Sequence, residues 1–387
     1  MRVLIAADSF KDALSAQRVC RAIAEGFCAG FPAAEVREFP LADGGEGLSE
    51  VLAFHLGGEM VSVGTTDPLG RPCAASYLLA QGGGLAFLES AQAAGLERLG
   101  PSERNPLYTS TFGVGTLIRD AVRRGARQIY LGLGGTATND AGTGMAAALG
   151  FIFRDARGYA LAPRGENLSD VAAIEASGVL PELLSCRFQA LCDVNNPLFG
   201  PEGAAYTFAP QKGADPDAVA CLDRGLRHIC PLLEGAHREA YGQPLHAHLQ
   251  DLPGSGAAGG LGAGVMAFLN GQLRPGSDAV LDMVGFDDAV LGADLILTGE
   301  GRLDGQTARG KLVHGVCQRA ARYGVPVVAL CGAVEASAEQ VRSMGLLAAF
   351  SISLQPQPLE RALENTALDL AHSAAQLGAI WRHWAQR

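Results

Sequence analysis

The chain has 387 residues, 48% of them apolar and 18% charged, a globular composition with material for about two to three domains. A net charge of −10 argues against nucleic acid or an anionic membrane surface as the main ligand, and no stretch approaches the ~20 apolar residues of a membrane span. The nine cysteines are odd in number, scattered and without a C-x-x-C pair, so neither a disulfide framework nor a zinc site is expected.

The first element, "RVLIAAD", reads as a buried strand ending in Asp8. Its apolar run is too short for a signal peptide, and a cytoplasmic protein is expected. "SAQRVCRAIAEGFCAG" follows with helical spacing, Ser15 standing where an N-cap would. "EVREFPLAD" reads as a second strand and "EGLSEVLAFHLG" as a second helix. This β-α-β-α rhythm predicts a doubly wound parallel sheet.

The middle of the chain changes character. Residues 59–90 alternate short apolar runs with turn signals, as a β meander does. A helix is predicted over 114–124, a strand at "QIYLGLGG", a helix over 141–149 and a strand at "FQALCDV". Further helices are predicted over 217–233 and 257–269. From about residue 285 the β-α rhythm returns through "ADLILTGEG", "VHGVCQRAARYG", "VPVVALCG" and "LLAAFSIS", and a long helix closes the chain. Because the two ends share one style, residues 1–62 and 285–387 are expected to form one α/β domain, with 63–284 a second, mixed α/β domain inserted into it.

Ligands of doubly wound folds sit beyond the carboxyl ends of the strands. Several strands here end in acidic or glycine-rich turns: Asp8-Ser9-Phe10-Lys11, Asp43-Gly44-Gly45-Glu46-Gly47, Asp193 and Thr298-Gly299-Glu300-Gly301. Clustered carboxylates suit a hard cation such as Mg²⁺. "GLGGTATNDAGTG" joins a strand to a helix; its Gly134 and Gly135 clear the turn, Thr136, Thr138 and Asn139 add donors, and amides at the helix start would attract an anion. "GSGAAGGLGAG" (254–264) leads into another helix and reads rather as close packing.

Of 30 basic side chains only three are lysines, Lys11, Lys212 and Lys311. Each lies in a polar, glycine- or aspartate-bearing stretch, which suggests places where a compact ammonium fits and a guanidinium fork does not. Lys311 ends a run, Gly305 to Gly310 and Lys311, with the spacing of a Walker A loop. The next residue is Leu312 instead of a Mg²⁺-binding hydroxyl, and six residues separate the preceding strand from Gly305. A P-loop is therefore rejected; Lys311 would act as a point charge. No nucleophile elbow and no histidine set for metal or nucleophilic chemistry is present.

Taken together, "AADSFKDALSA", "LADGGEG", "GLGGTATNDAGTGMAAALG", "CDVNNPLFGPEGAAYTFAPQKGA", "GSGAAGGLGAG" and "TGEGRLDGQTARGK" resemble the type I group of the bacterial glycerate kinase family, in order and over nearly the whole length. Two departures are Ala7, where the family more often has Pro, and Asn195, where Asp is common. The resemblance implies a Rossmann-like domain with an inserted α/β domain, and an ATP- and Mg²⁺-dependent kinase converting D-glycerate to 2-phospho-D-glycerate. Under that reading Asp193, Lys11 and Lys311 are the candidate catalytic residues, with Asp193 as general base or Mg²⁺ contact. Asp8, Ser9, Asp43, Gly44, Gly45, Glu46, Arg302 and Lys212 are the candidates for substrate, and Gly134, Gly135, Thr136, Thr138, Asn139 and Asp140 those for ATP. Glu300 and Asp304, with Asp193, are the candidates for metal. Which cation meets which anion stays open, as does oligomeric state. So do two other readings: a kinase for another small hydroxy acid such as a tetronate, and a nucleotide- or acid-sensing protein without turnover.

Overall fold

The computed structural model describes residues 1–304 and 312–385; Lys311 and the Walker-like glycines lie outside the described residues. The chain divides into two compact units, Met1–Asp43 with Ser277–Arg387, and Gly44–Gly276.

In the first unit the chain ends build one five-stranded, all-parallel sheet. Its order is Ala348–Ser351, Val327–Cys331, Leu295–Thr298, Arg2–Ile5, Glu35–Glu38. Val3 pairs with Leu295 and Ile5 with Leu297, so the first strand lies beside one almost 300 residues later. Alternation sends Leu4, Ala6, Ile296 and Ala329 to one face, where they pack with Val313, Val316 and Ala320 of the helix Leu312–Arg322. Val3, Ile5, Leu297 and Leu330 point the other way, onto Val19, Ile23 and Phe27 of the helix Ala16–Gly30 and Leu370 and Ala374 of the helix Leu359–Ala385. Both faces of the inner strands are thus buried, which is why Leu295–Thr298 and Val327–Cys331 read as nearly unbroken apolar runs, while the edge strand Glu35–Glu38 keeps charged residues. Ser15 holds the N-cap position of its helix, but its side chain makes no capping bond.

In the second unit a six-stranded mixed sheet runs Gln272–Arg274, Arg187–Leu191, Gln128–Gly132, Leu85–Glu89, Pro72–Ala80, Glu59–Thr66. The last three strands form the antiparallel meander; the first four are mutually parallel. The helix Leu48–Leu56 packs on this sheet, against Pro72–Ala80 and Leu85–Glu89. The helix predicted to end near 233 continues past Pro231 to Tyr241, because Leu233, Ala236 and His237 extend its buried stripe. Asp215 starts it, accepting the Ala218 N–H at 2.8 Å. Among the described residues no helix is long and apolar enough to cross a membrane.

Candidate active site

In the first unit, strand order reverses between Arg2–Ile5 and Leu295–Thr298, the place where such sheets open a crevice at their carboxyl ends. Asp8 follows the first of these strands and Glu300 the second; the Asp8 N–H donates to Gly299 O at 3.0 Å. Asp43 ends the segment after Glu35–Glu38, held alongside by the bond from Leu41 N–H to Ala7 O. The Asp8 carboxyl is held well above the ordinary carboxylate range, by burial first and then by the charge of Asp43, with Glu300 adding to it. The Ser9 N–H, donating to Asp8 Oδ1 at 2.6 Å, opposes that rise. Phe10 and Leu14 exchange two backbone bonds, 2.8 and 2.9 Å, closing a tight turn with exposed Lys11 on it and Asp12 at φ 62°. Aspartate is among the few residues that tolerate that left-handed region.

Arg302 and Leu303 pair with Ala333 and Val334 as a short parallel ladder, so a second piece of sheet follows the Thr298–Gly301 turn. The Arg302 guanidinium donates to Glu335 Oε2 at 2.6 Å and stands 4.0 Å from Asp304 Oδ2. Its head is already engaged in a surface ion pair. Leu312 is 3% exposed and part of the apolar core, which accounts for the missing hydroxyl of the Walker-like run.

In the second unit the glycine-rich turns converge at the carboxyl ends of the parallel strands. A Cβ on Gly132 would meet Gly44 O at 2.4 Å, so the Gly44-Gly45-Glu46 loop lies directly over that strand end. Asp193, two residues beyond the strand Arg187–Leu191, accepts the Gly276 N–H on Oδ1 at 2.6 Å. Glu89, unremarked in the sequence, ends the strand Leu85–Glu89 on the other side of Gln128–Gly132 and accepts the Gly47 and Ser49 N–H groups at 3.0 and 2.8 Å, which fixes the start of the helix Leu48–Leu56. Burial pushes its carboxyl up against the pull of those bonds.

The "GLGGTATNDAGTG" stretch folds differently from the expected open cradle. Its helix, Thr143–Ala148, is short, and its first amides are taken. Asp140 accepts the Gly142 and Gly144 N–H groups at 3.1 Å each, with the Thr111 N–H at 2.7 Å and the Thr111 hydroxyl at 2.8 Å. Thr111 Oγ1 in turn accepts the Met145 N–H at 2.8 Å. Asp140 thus closes the helix start from within the motif. Burial raises its carboxyl pKa, and these bonds lower it.

Lys212, 3% exposed, reaches the same turn, donating to Thr138 O at 2.7 Å and Thr136 Oγ1 at 3.3 Å. Burial draws its pKa down to about 7, and the nearby Asp140 charge opposes that. Thr138 Oγ1 and both amide atoms of Asn139 make no hydrogen bond among the described residues, although both residues are buried. The "GSGAAGGLGAG" glycines serve packing: a Cβ on Gly259 would lie 2.1 Å from Thr138 O.

The structure therefore assembles Asp8, Ser9, Asp43 and Glu300 in one unit, with Lys11, Arg302 and Asp304 nearby in sequence. In the other it gathers Gly44, Gly45, Gly134, Thr136, Thr138, Asp140, Asp193 and Lys212 around one set of strand ends. Among the described residues no three His, Cys, Asp or Glu side chains form a ready cation cage. Mg²⁺ carried by a nucleotide needs only one or two carboxylates.

The model of the Glycerate kinase family matches residues 3–382. A Bacillus cereus protein named glycerate kinase is 42% identical over 382 residues, covering 99% of this chain and 98% of its own length. An Escherichia coli K12 protein named glycerate 2-kinase is 37% identical over 379 residues, covering 98% and 97%. A crystal structure from Salmonella typhimurium LT2 aligns with a TM-score of 0.86 and 41% identity over the full length of both chains. With matches of this extent, the chain belongs to the glycerate kinase family.

Proposed function

We propose that this chain transfers the γ-phosphoryl group of ATP to the 2-hydroxyl of D-glycerate, giving 2-phospho-D-glycerate and ADP. The family match over residues 3–382 carries this reading, and the E. coli relative named for the 2-kinase supports the choice of hydroxyl. The parallel sheet of the chain ends is read as a Rossmann-like, doubly wound domain. Asp193, oriented by the Gly276 N–H, accepts the hydroxyl proton. Lys11 and Lys311 balance the charge of the glycerate carboxylate and the phosphates, and Ser9 and Asp43 position the acid; Arg302, paired with Glu335, and Lys212, buried in the Thr136–Thr138 turn, serve to hold their own loops. Gly134, Gly135, Thr136, Thr138, Asn139 and Asp140 shape the turn that faces the nucleotide. Glu300 and Asp304 are the carboxylates proposed to reach Mg²⁺, which when bound would neutralise charge on the transferring group.

The test is a coupled assay with D-glycerate and ATP, read through enolase and pyruvate kinase without phosphoglycerate mutase. Signal without mutase is the expected result. Signal that appears only once mutase is added would mean the 3-isomer is formed. ADP release with no signal in either format points to another product.

A further inference from the structure

One cavity in the second unit is used by nothing described above. It measures about 550 Å³ and lies between the strand Gln272–Arg274, the 192–195 turn and the 245–254 loop. That strand pairs in parallel with Arg187–Leu191, Arg274 opposite Leu191. Cys192 and Asn195 follow one strand and Pro275 the other, so the cavity opens beyond two adjacent carboxyl ends, where sheets of this kind take ligands. Asp193 lies between two lining residues, Cys192 and Val194, and its partner Gly276 follows lining Pro275. Asp193 itself does not line the cavity, which reaches the residues on either side of it.

The wall has two characters. Leu245, Leu252, Met266 and Leu273 supply hydrocarbon; Asn270 and Gln272 supply amides that each both donate and accept, and His246 and Arg274 add an imidazole and a guanidinium that suit the anionic end of a nucleotide. The volume falls in the ~300–1,000 Å³ range of small-molecule sites, which are mostly apolar with a few placed polar groups. D-glycerate is small and polar on every side and would gain nothing from four hydrocarbon side chains. A nucleobase offers flat apolar faces and an edge of donors and acceptors. From this strand to Gln128–Gly132, under the Gly134-Gly135 turn, is two strand spacings, ~10 Å. A ribose with its phosphates covers such a span.

We propose that this cavity is the nucleoside site, holding the adenine and ribose of the nucleotide with the phosphates running past Asp193 toward the Gly132–Gly135 strand end. The inference rests on the kinase reading and adds to it the location and the residues of base recognition.

The experiment uses the unmodified full chain, photolabelled with 8-azido-ADP and mapped by mass spectrometry after digestion. Label is expected in peptides spanning 245–254 or 266–275, and excess ADP should remove it. Label confined elsewhere, or no competable label at saturation, overturns the proposal. Two variants give a second readout. Leu273→Trp narrows the cavity and should raise KM for ATP at least tenfold while moving KM for D-glycerate less than twofold. Gln272→Ala, at an exposed position that is safe for folding, should raise KM for ATP about threefold or more. Unchanged KM for ATP in Gln272→Ala together with a folded, unaffected Leu273→Trp overturns the site. The two readings fail separately. A chain that phosphorylates D-glycerate but is labelled elsewhere keeps the kinase and loses this site. A chain labelled here that shows no turnover of D-glycerate keeps the nucleoside site and loses the kinase.

Discussion

Lys212 shows what a single side chain contributes once its surroundings are known. Its ammonium is buried against Thr138 O and Thr136 Oγ1, and its pKa is drawn down to about 7. An unfolded lysine titrates near ~10.4, so between about pH 7 and 10 the unfolded chain binds a proton the native chain lacks. Stability from this group therefore rises with pH across that window and is lost as pH falls toward 7. Lys212→Met removes the titration. Urea unfolding of wild type and variant at pH 6.5, 8 and 9.5 should show the wild type gaining relative to the variant at each step. A flat difference would mean the native ammonium keeps its ordinary pKa. Lys11 and Lys311 pose a question of shape. If each is a point charge on a transferring phosphoryl group, Lys→Arg should cost about 2.7–4 kcal/mol, a hundredfold or more in kcat/KM. Surface changes such as Arg123→Lys should do little, and wild-type kinetics in both Lys→Arg variants would refute the role. Leu312→Ser, which completes the written Walker motif, should not improve ATP affinity. It should instead destabilise, because it removes a core side chain; Leu→Ala at such sites costs about 2–5 kcal/mol.

At the scale of elements, the helix Thr143–Ala148 is instructive. The glycines and hydroxyls before it read correctly as a strand-to-helix turn, yet its amides are held by Asp140 and Thr111 and not left open. The Asp140 side chain accepts from four donors, three on Oδ2 and one on Oδ1. Asp140→Asn must turn an NH₂ toward at least one of them. Leaving one buried donor unpaired costs about 1–3 kcal/mol, so a lowered urea midpoint is expected, whether or not ATP binds there. An unchanged midpoint would show that the four bonds carry little net stability. Thr111 and Glu89 went unread because their partners are 29 and 40 to 42 residues away. One local sign of Glu89 existed: "LAFLE" is an apolar strand ending in a carboxylate, the pattern that marked Asp8 and Asp193. The helix Leu48–Leu56 teaches the converse. Its sequence continues the opening β-α rhythm, while its packing is on the meander strands of the other sheet. Periodicity identifies an amphipathic helix and says nothing of which sheet will cover its apolar face.

For the molecule as a whole, the core of the second unit is one cluster in which the Phe268 ring lies tilted 4.8 Å from Phe151 and edge-on 5.9 Å from Phe153. Phe268→Ala should cost about 3–5 kcal/mol and shift the urea midpoint downward; a shift under a quarter of that would indicate a core that collapses around the gap. The sequence by itself determined the identity of the inner strands of the parallel sheet, because burial on both faces leaves almost only apolar residues there. It also determined the family, because six long motifs recur in order. It located acidic residues at strand ends one at a time. Only the tertiary structure decided that Asp8 and Glu300 share one strand-order reversal, that Arg302 is occupied by Glu335, that Lys212 enters the Thr136–Thr138 turn, and that a cavity lies along the strand Gln272–Arg274. The reason is physical. A strand's own residues look the same whichever strand lies beside it, and the pairing of Val3 with Leu295 is selected by the packing of the entire sheet, at a separation where no local pattern carries information.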